Sequence, residues 1–264
     1  MRALGPWLRA YVIVMTIFIL APLVVVVIAA FNSAEFAVFP PPGFSLRWIN
    51  KALTDPEFMM PLWNSTVLGL SATFGTSIIA VPAAILLVRH TFPLKSELEA
   101  FLLSPLTLPH IVLATGLLFF VNIIGLGGSF ASLLLGHMVI TLPYMLRTVY
   151  GVYAGTNREI EEAAAILGAG PIRTFFAVTL PMLRPGILAG GIFAFLISFD
   201  EVPIALLLTN TTNVTLPVSI LSYLIYNYDP TIAAISAIQI AIVVTLLIAL
   251  DRVFGLKTLM FSAR

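Results

Sequence analysis

Six runs of about twenty apolar residues, nearly free of charge, constrain this chain more than any other feature. They lie at Ala10–Phe31, Ser65–Val88, Phe101–Ile124, Phe130–Thr148, Ile187–Leu208 and Thr231–Leu250. Each is near the length a helix needs to cross roughly 30 Å of hydrocarbon. A chain of 264 residues could bury a large soluble core, but only 9% of its residues are charged, against about 25% in soluble domains. The expected fold is therefore an all-α membrane protein with six transmembrane helices.

Several runs contain proline: Pro22, Pro82, Pro105, Pro109, Pro143 and Pro203. Proline removes a backbone donor, and in lipid the freed groups must be satisfied by neighbours or by a cavity. These positions read either as simple kinks or as the mark of a bundle lining a path.

Positive charge sets the orientation. With the N-terminus inside, Arg2, Arg9, Arg89, Lys95, Arg147, Arg158, Arg173, Arg184, Arg252, Lys257 and Arg264 face the cytoplasm, and only Arg47 and Lys51 face out. Both termini are then expected to be cytoplasmic. The first run has the basic start of a signal peptide, but it exceeds the usual apolar core of about 7–15 residues. It reads as an uncleaved helix.

Three loops are long enough to matter: an outer segment from Asn32 to Asn64, an inner loop from Gly151 to Gly186, and an outer loop from Thr209 to Pro230. In the first, "SLRWINKAL" suits one or two helical turns with Ser45 as N-cap. No internal repeat is evident.

The chain lacks the parts of an enzyme. No Gly-Lys dipeptide occurs, so there is no phosphate-binding P-loop. His90, His110 and His137 have no metal-ligand spacing, and no catalytic or metal site is expected. There are no cysteines, which excludes disulfides and thiolate metal sites. The net charge of +1 argues against a nucleic-acid partner.

The inner loop carries the sharpest signal. "REIEEAAAILGA" favours helix, Gly168, Gly170 and Pro171 then break it, and "IRTFFAVTLPML" begins a second apolar helix. The early acids suit the helix dipole. Three alanines, 163 to 165, leave one surface narrow enough to dock in another protein's groove; a solvated amphipathic helix with a glycine cap explains the same residues. Glu162-Ala163-Ala164 is followed after three residues by Gly168, and after nine more by Val178-x-Leu180-Pro181. This spacing resembles the EAA loop of ABC importer permeases, with Val178 where isoleucine is usual.

That resemblance implies a coupling helix in loop 151–186, seated in a cleft of a separate ATP-binding subunit. Glu162, Ala163, Ala164, Gly168, Leu180 and Pro181 would carry the coupling. It implies a five-helix core of the type I, MetI-like kind over residues 62–255, an added N-terminal helix and periplasmic loop over 1–61, and a cytoplasmic tail over 256–264. The implied partners are a second permease of different sequence, two ATPase subunits, a periplasmic solute-binding protein and lipid. ATP and magnesium would sit on the ATPase, and the location would be a bacterial inner membrane. "FNSAEF", "LWNSTVLGLSAT", "ISFDEVPIALLLT" and "DPTIAAISA" look like the PotC-type permeases of polyamine importers, a look shared by permeases for aminophosphonates and opines.

"SFDEVP" places Asp200 and Glu201 inside the fifth apolar run, where an acid costs roughly 2.5–3.5 kcal/mol at mid-membrane. Adjacent helical residues point about 100° apart, so both cannot line one narrow path unless Pro203 distorts the helix. One is expected to face the path and attract a cationic solute, the other to pair with a neighbouring helix. A purely structural pair is the competing reading. Tyr223, Tyr226, Tyr228 and Asp229 offer cation–π or hydrogen-bond contacts to the same solute, or form an interfacial aromatic belt. Function is therefore expected to be solute import, with a polyamine as the favoured substrate. A proton-coupled secondary transporter using Asp200 and Glu201 is the main alternative, and a membrane scaffold or intramembrane enzyme the distant one.

Overall fold

A computed structural model describes residues 5–36 and 38–254. Arg2, Lys257, Arg264 and the tail expected over 256–264 lie outside the described residues. The helices are α1 (Pro6–Ala30), α2 (Arg47–Thr54), α3 (Pro56–Arg89), α4 (Lys95–Leu103), α5 (His110–Ile123), α6 (Phe130–Ala154), α7 (Glu159–Ile166), α8 (Pro171–Thr174), α9 (Leu180–Phe199), α10 (Pro203–Leu208), α11 (Leu216–Tyr226) and α12 (Thr231–Phe254). A 3-10 turn follows α4 and a π turn, Phe175–Thr179, joins α8 to α9. There is no strand among the described residues, so the all-α expectation holds.

Among the described residues, five helices are long and apolar enough to cross a membrane: α1, α3, α6, the continuous stretch Pro171–Phe199, and α12. A sixth span exists only as a bent pair, Lys95–Leu106 with His110–Ile123, whose axes meet at 105°. The third apolar run is thus not a straight helix. Pro105 falls in the 3-10 turn and Pro109 precedes α5, so two missing N–H groups interrupt the ladder within five residues. The fifth span also differs from expectation. It starts at Pro171, sixteen residues before Ile187, and ends at Phe199; the last part of the predicted run is the separate α10. The outer stretch from Thr209 to Pro230, expected as loop, contains α11. The short helix expected near Ser45 is present as α2, but Leu46 and not Ser45 is its N-cap; Ser45, one residue earlier, accepts the Arg47 N–H on its Oγ at 3.1 Å.

Chain contacts divide the protein into two compact units, one made of the chain up to Met59 with Ser219–Ala249, the other centred on Met60–Val218. In the first, α1 buries only Ala30 and exposes apolar side chains all round, as a helix bathed in lipid does. In the second, α9 lies against α6 through small residues. A Cβ on Gly186 would come within 3.1 Å of Val149 Cα, and one on Gly190 within 3.2 Å of Met145 Cα. This is the small-xxx-small device that lets membrane helices approach closely where lipid removes the hydrophobic drive. Ala80, Ala84 and Leu87 of α3 join Met145, Val149, Tyr153, Leu183 and Ala194 in one core. A second core gathers Leu68, Ala114, Leu133, Ile140, Ile204 and Leu208. Polar bridges cross between spans: Thr76 and Thr141 hydroxyls meet at 2.8 Å, and His137 Nδ1 meets Ser198 Oγ at 2.8 Å.

Candidate functional site

The inner loop folds as its residues dictate. Asn157 Oδ1 accepts the Glu159 N–H at 3.0 Å and closes the start of α7, whose first turn holds Glu159, Glu161 and Glu162 beside the positive end of the dipole. At the other end the Ala169 N–H reaches Ala164 O at 3.0 Å and the Gly168 N–H reaches Ala165 O at 2.9 Å. That pair is a Schellman motif, and it needs a left-handed residue after the helix; Gly168 has φ +86°. Gly170 and Pro171 then start α8. Leu180 and Pro181 do not end anything. They sit half-buried just past the π turn, where Pro181 cannot donate to Ala177 O and the widened turn absorbs its ring.

The acid that ties this loop down is not the one in the Glu-Ala-Ala signature. Glu162 is exposed and pairs at 2.9 Å with Arg158, the N-cap residue of its own helix, in the less favourable basic-before-acidic order. Glu161 instead points inward, with 15% of its side chain exposed. It accepts hydrogen bonds from Arg89 Nε at 2.9 Å, Tyr153 Oη at 2.8 Å and Thr179 Oγ1 at 2.5 Å. Arg89 also donates to Thr156 Oγ1 at 3.0 Å and stacks 4.2 Å over the Tyr153 ring. One carboxylate therefore joins the end of α3, the end of α6, α7 and the π turn leading into α9. Burial pushes the Glu161 carboxyl up, but the bonds from Thr179, Tyr153 and Arg89 and the Arg89 charge outweigh it and hold it below the ordinary value. Nothing in the spacing of Arg89, Tyr153 and Glu161 announces this cluster; only the doubled glutamate hints that one acid has a second task.

Opposite the anchor, α7 and the following turn present Ala163, Ile166, Leu167 and Ile172 to the outside. Ile166 and Leu167 are 86% and 88% exposed, an apolar patch outside the membrane-crossing helices. Such a patch is the chemistry of a protein-docking surface.

The two acids of "SFDEVP" lie in a break rather than inside a helix. Asp200 terminates α9, and Pro203 at the first position of α10 supplies no N–H to continue the ladder. Glu201 is buried; its Oε2 meets His110 Nδ1 at 3.0 Å, and its Oε1 accepts the Ile204 N–H at 3.2 Å. The break in one span is thus joined to the first residue of α5, just beyond the break in another. Asp200 is exposed and has no side-chain partner among the described residues. Of the two acids, Glu201 is the one paired with a neighbouring helix, since both its oxygens already have partners.

Tyr223 departs from the aromatic-belt reading. Its side chain is buried and donates to Asp229 Oδ2 at 2.8 Å, while Lys51 Nζ donates to both, at 2.9 and 2.8 Å. Tyr226 and Tyr228 are exposed, as belt residues are.

Two broken spans, one with a pair of acids at its break, and an extramembrane helix fastened to the ends of two spans are the architecture of a helical membrane permease. The chain belongs to the family described as the binding-protein-dependent transport system inner membrane component, whose profile matches residues 76–258. It is similar to the putrescine transport system permease protein PotI of Escherichia coli (strain K12), 29% identical over 243 residues, covering 89% of this chain and 85% of that protein. It is also similar to the spermidine/putrescine transport system permease protein PotC of the same strain, 28% identical over 238 residues, covering 90% and 89%. In fold it matches a bacterial ABC transporter involved in the import of the acidic polysaccharide alginate, with a TM-score of 0.69 at 15% identity, over 97% of this chain and 99% of the other. The family places the chain among ABC importer permeases, which are not enzymes, and sets aside the proton-coupled carrier.

Proposed function

We propose that this chain forms part of the translocation path of an ATP-driven bacterial importer for a polyamine such as putrescine or spermidine. The observation that carries the reading is the Glu161 tie: a movement imposed on α7 has a stiff route into α3, α6 and α9. Glu162, Ala163, Ala164, Gly168 and the apolar patch dock in one of two separate ATP-binding subunits, which hold ATP and magnesium. Leu180 and Pro181 carry the motion into the span. The excess of Lys and Arg on one side puts this loop and both termini in the cytoplasm. A second permease chain of different sequence completes the path, and a periplasmic solute-binding protein delivers the solute. The coupling domain spans residues 62–255, with the N-terminal helix and outer loop as an addition.

The polyamine reading rests on the two permeases named for putrescine and spermidine, to which nine-tenths of this chain is similar. The free carboxylate of Asp200 at a span break is the chemistry that attracts a cation. The test is uptake of labelled putrescine and spermidine in cells lacking any second polyamine system, with the chain present, deleted, or carrying Glu162→Ala. Loss in both the deletion and the variant is the expected result. Unchanged uptake removes the polyamine and redirects the search to aminophosphonates and opines. Depleting ATP while keeping the proton gradient must abolish uptake.

A further inference from the structure

Lys51 of α2 sits in a cage whose walls stand without it. Its Nζ donates to Tyr223 Oη and Asp229 Oδ2, and lies 5.5 Å and 5.6 Å from the ring centres of Tyr223 and Trp48. Trp48 is 4% exposed and its indole N–H donates to Ala34 O at 3.1 Å. Tyr223, also 4% exposed, is held edge-on by Phe58 at 5.0 Å and donates its own proton to Asp229. Asp229 keeps its other oxygen on the Thr231 N–H at 3.0 Å. None of these contacts involves Lys51. The carboxylate, the phenol hydroxyl and the Trp48 ring are therefore positioned in advance for a compact ammonium with several N–H donors. Lys51 reaches them at the end of a flexible four-carbon stem with 38% of its side chain still exposed.

We infer that Trp48, Tyr223 and Asp229 form a binding site for a primary alkylammonium group, occupied by the chain's own Lys51 and open to a solute ammonium that displaces it. An ordinary exposed ion pair needs only the carboxylate and gains little. Here the Trp48 ring and the Tyr223 phenol add contacts that a carboxylate alone does not supply. The inference rests on the cation reading above only for the identity of the solute, since an alkylammonium site can be measured without transport.

The experiment uses the purified full-length chain in its transporter complex, with Lys51→Met to keep the stem's apolar contacts and remove the charge. Thermal unfolding is followed against n-propylammonium chloride, with tetramethylammonium chloride at the same ionic strength as a cation that has no N–H to donate. The variant is expected to melt lower than the wild type and to recover saturably with propylammonium, as a ligand that binds only the folded state requires. The wild type should respond at least tenfold more weakly, and Lys51→Met combined with Asp229→Asn not at all. No recovery in the single variant overturns the site. So does equal recovery with tetramethylammonium, or recovery that survives loss of the Asp229 charge. Should Lys51→Met fail to assemble, Lys51→Gln is read in the same way. Recovery of the purified variant, with no polyamine uptake in cells carrying the wild type, keeps the site and removes the solute; polyamine uptake without recovery does the reverse.

Discussion

Arg89 at the end of α3 and Glu161 on α7 are 72 positions apart in sequence, yet their side chains meet at 2.9 Å with 15% of each exposed. That contact turns an extramembrane helix into an extension of the spans. It also separates two glutamates that look alike in sequence: Glu161 faces the protein and Glu162 faces away.

Glu161→Gln and Glu162→Gln should therefore fail differently. The first leaves Arg89 without its charge partner and should lower stability by about 1–3 kcal/mol and abolish uptake. The second removes an exposed ion pair, should change stability by less than about 0.5 kcal/mol, and should still impair uptake by weakening docking. Melting temperature and labelled-solute uptake, read on both variants, separate anchoring from docking.

The anchor has a defined pH window. The Glu161 carboxyl is held below its ordinary 4.5, so its contribution is complete above pH 4.5 and lost as pH falls through the depressed value. Burial works against the Lys51 ammonium, but its bonds to Asp229 and Tyr223 raise it above 10.5, so that contribution is complete below pH 10.5 and lost above it. Limited proteolysis of the inner loop should accelerate only below pH 4.5, and Glu161→Gln should remove that acid step.

Gly168→Ala tests the turn in isolation. A Cβ there meets no atom within 4 Å, so the whole cost comes from the left-handed φ of +86°. A loss of about 1 kcal/mol is expected, with Gly168→Asn milder because asparagine tolerates this region. Protease protection of α7 should fall in that order, and uptake with it.

At the α6–α9 contact, Gly190→Ala should be costly and Gly191→Ala tolerated. The first Cβ would lie 2.7 Å from Met145 Sδ and 3.2 Å from its Cα, while the second finds nothing nearer than 3.4 Å. Overpacking of this kind costs about 1–3 kcal/mol. Membrane-inserted yield and melting temperature should drop for Gly190→Ala alone.

The paired acids give the last contrast. Glu201→Gln should lower stability, because it weakens the link to His110 and the support of the Ile204 N–H. Asp200→Asn should leave stability unchanged and raise the KM for a cationic solute. Uptake kinetics beside thermal unfolding check both; a lowered melting temperature for Asp200→Asn would assign that acid to structure.

Much of this protein was settled one segment at a time. Hydropathy and length determine where a chain can cross a bilayer, and four of the spans fall on their apolar runs, while the third run is bent and the fifth span begins earlier and breaks at Asp200. The loop signature is equally local: helix formers, then a residue free to adopt positive φ, then a proline able to start the next helix, all within about twenty residues. The breaks are only half legible. Pro105, Pro109 and Pro203 announce lost backbone bonds, but whether a helix kinks or stops depends on what satisfies the freed groups, and here Glu201 and His110 do so from different spans. Tertiary structure alone decided which acid anchors the loop, and why Tyr223 is buried while Tyr226 is not. Glu161 and Glu162 have the same side chain and the same helix propensity. What differs is which face of α7 meets Arg89 and Tyr153, and that depends on contacts between residues far apart in the chain, which no local pattern encodes.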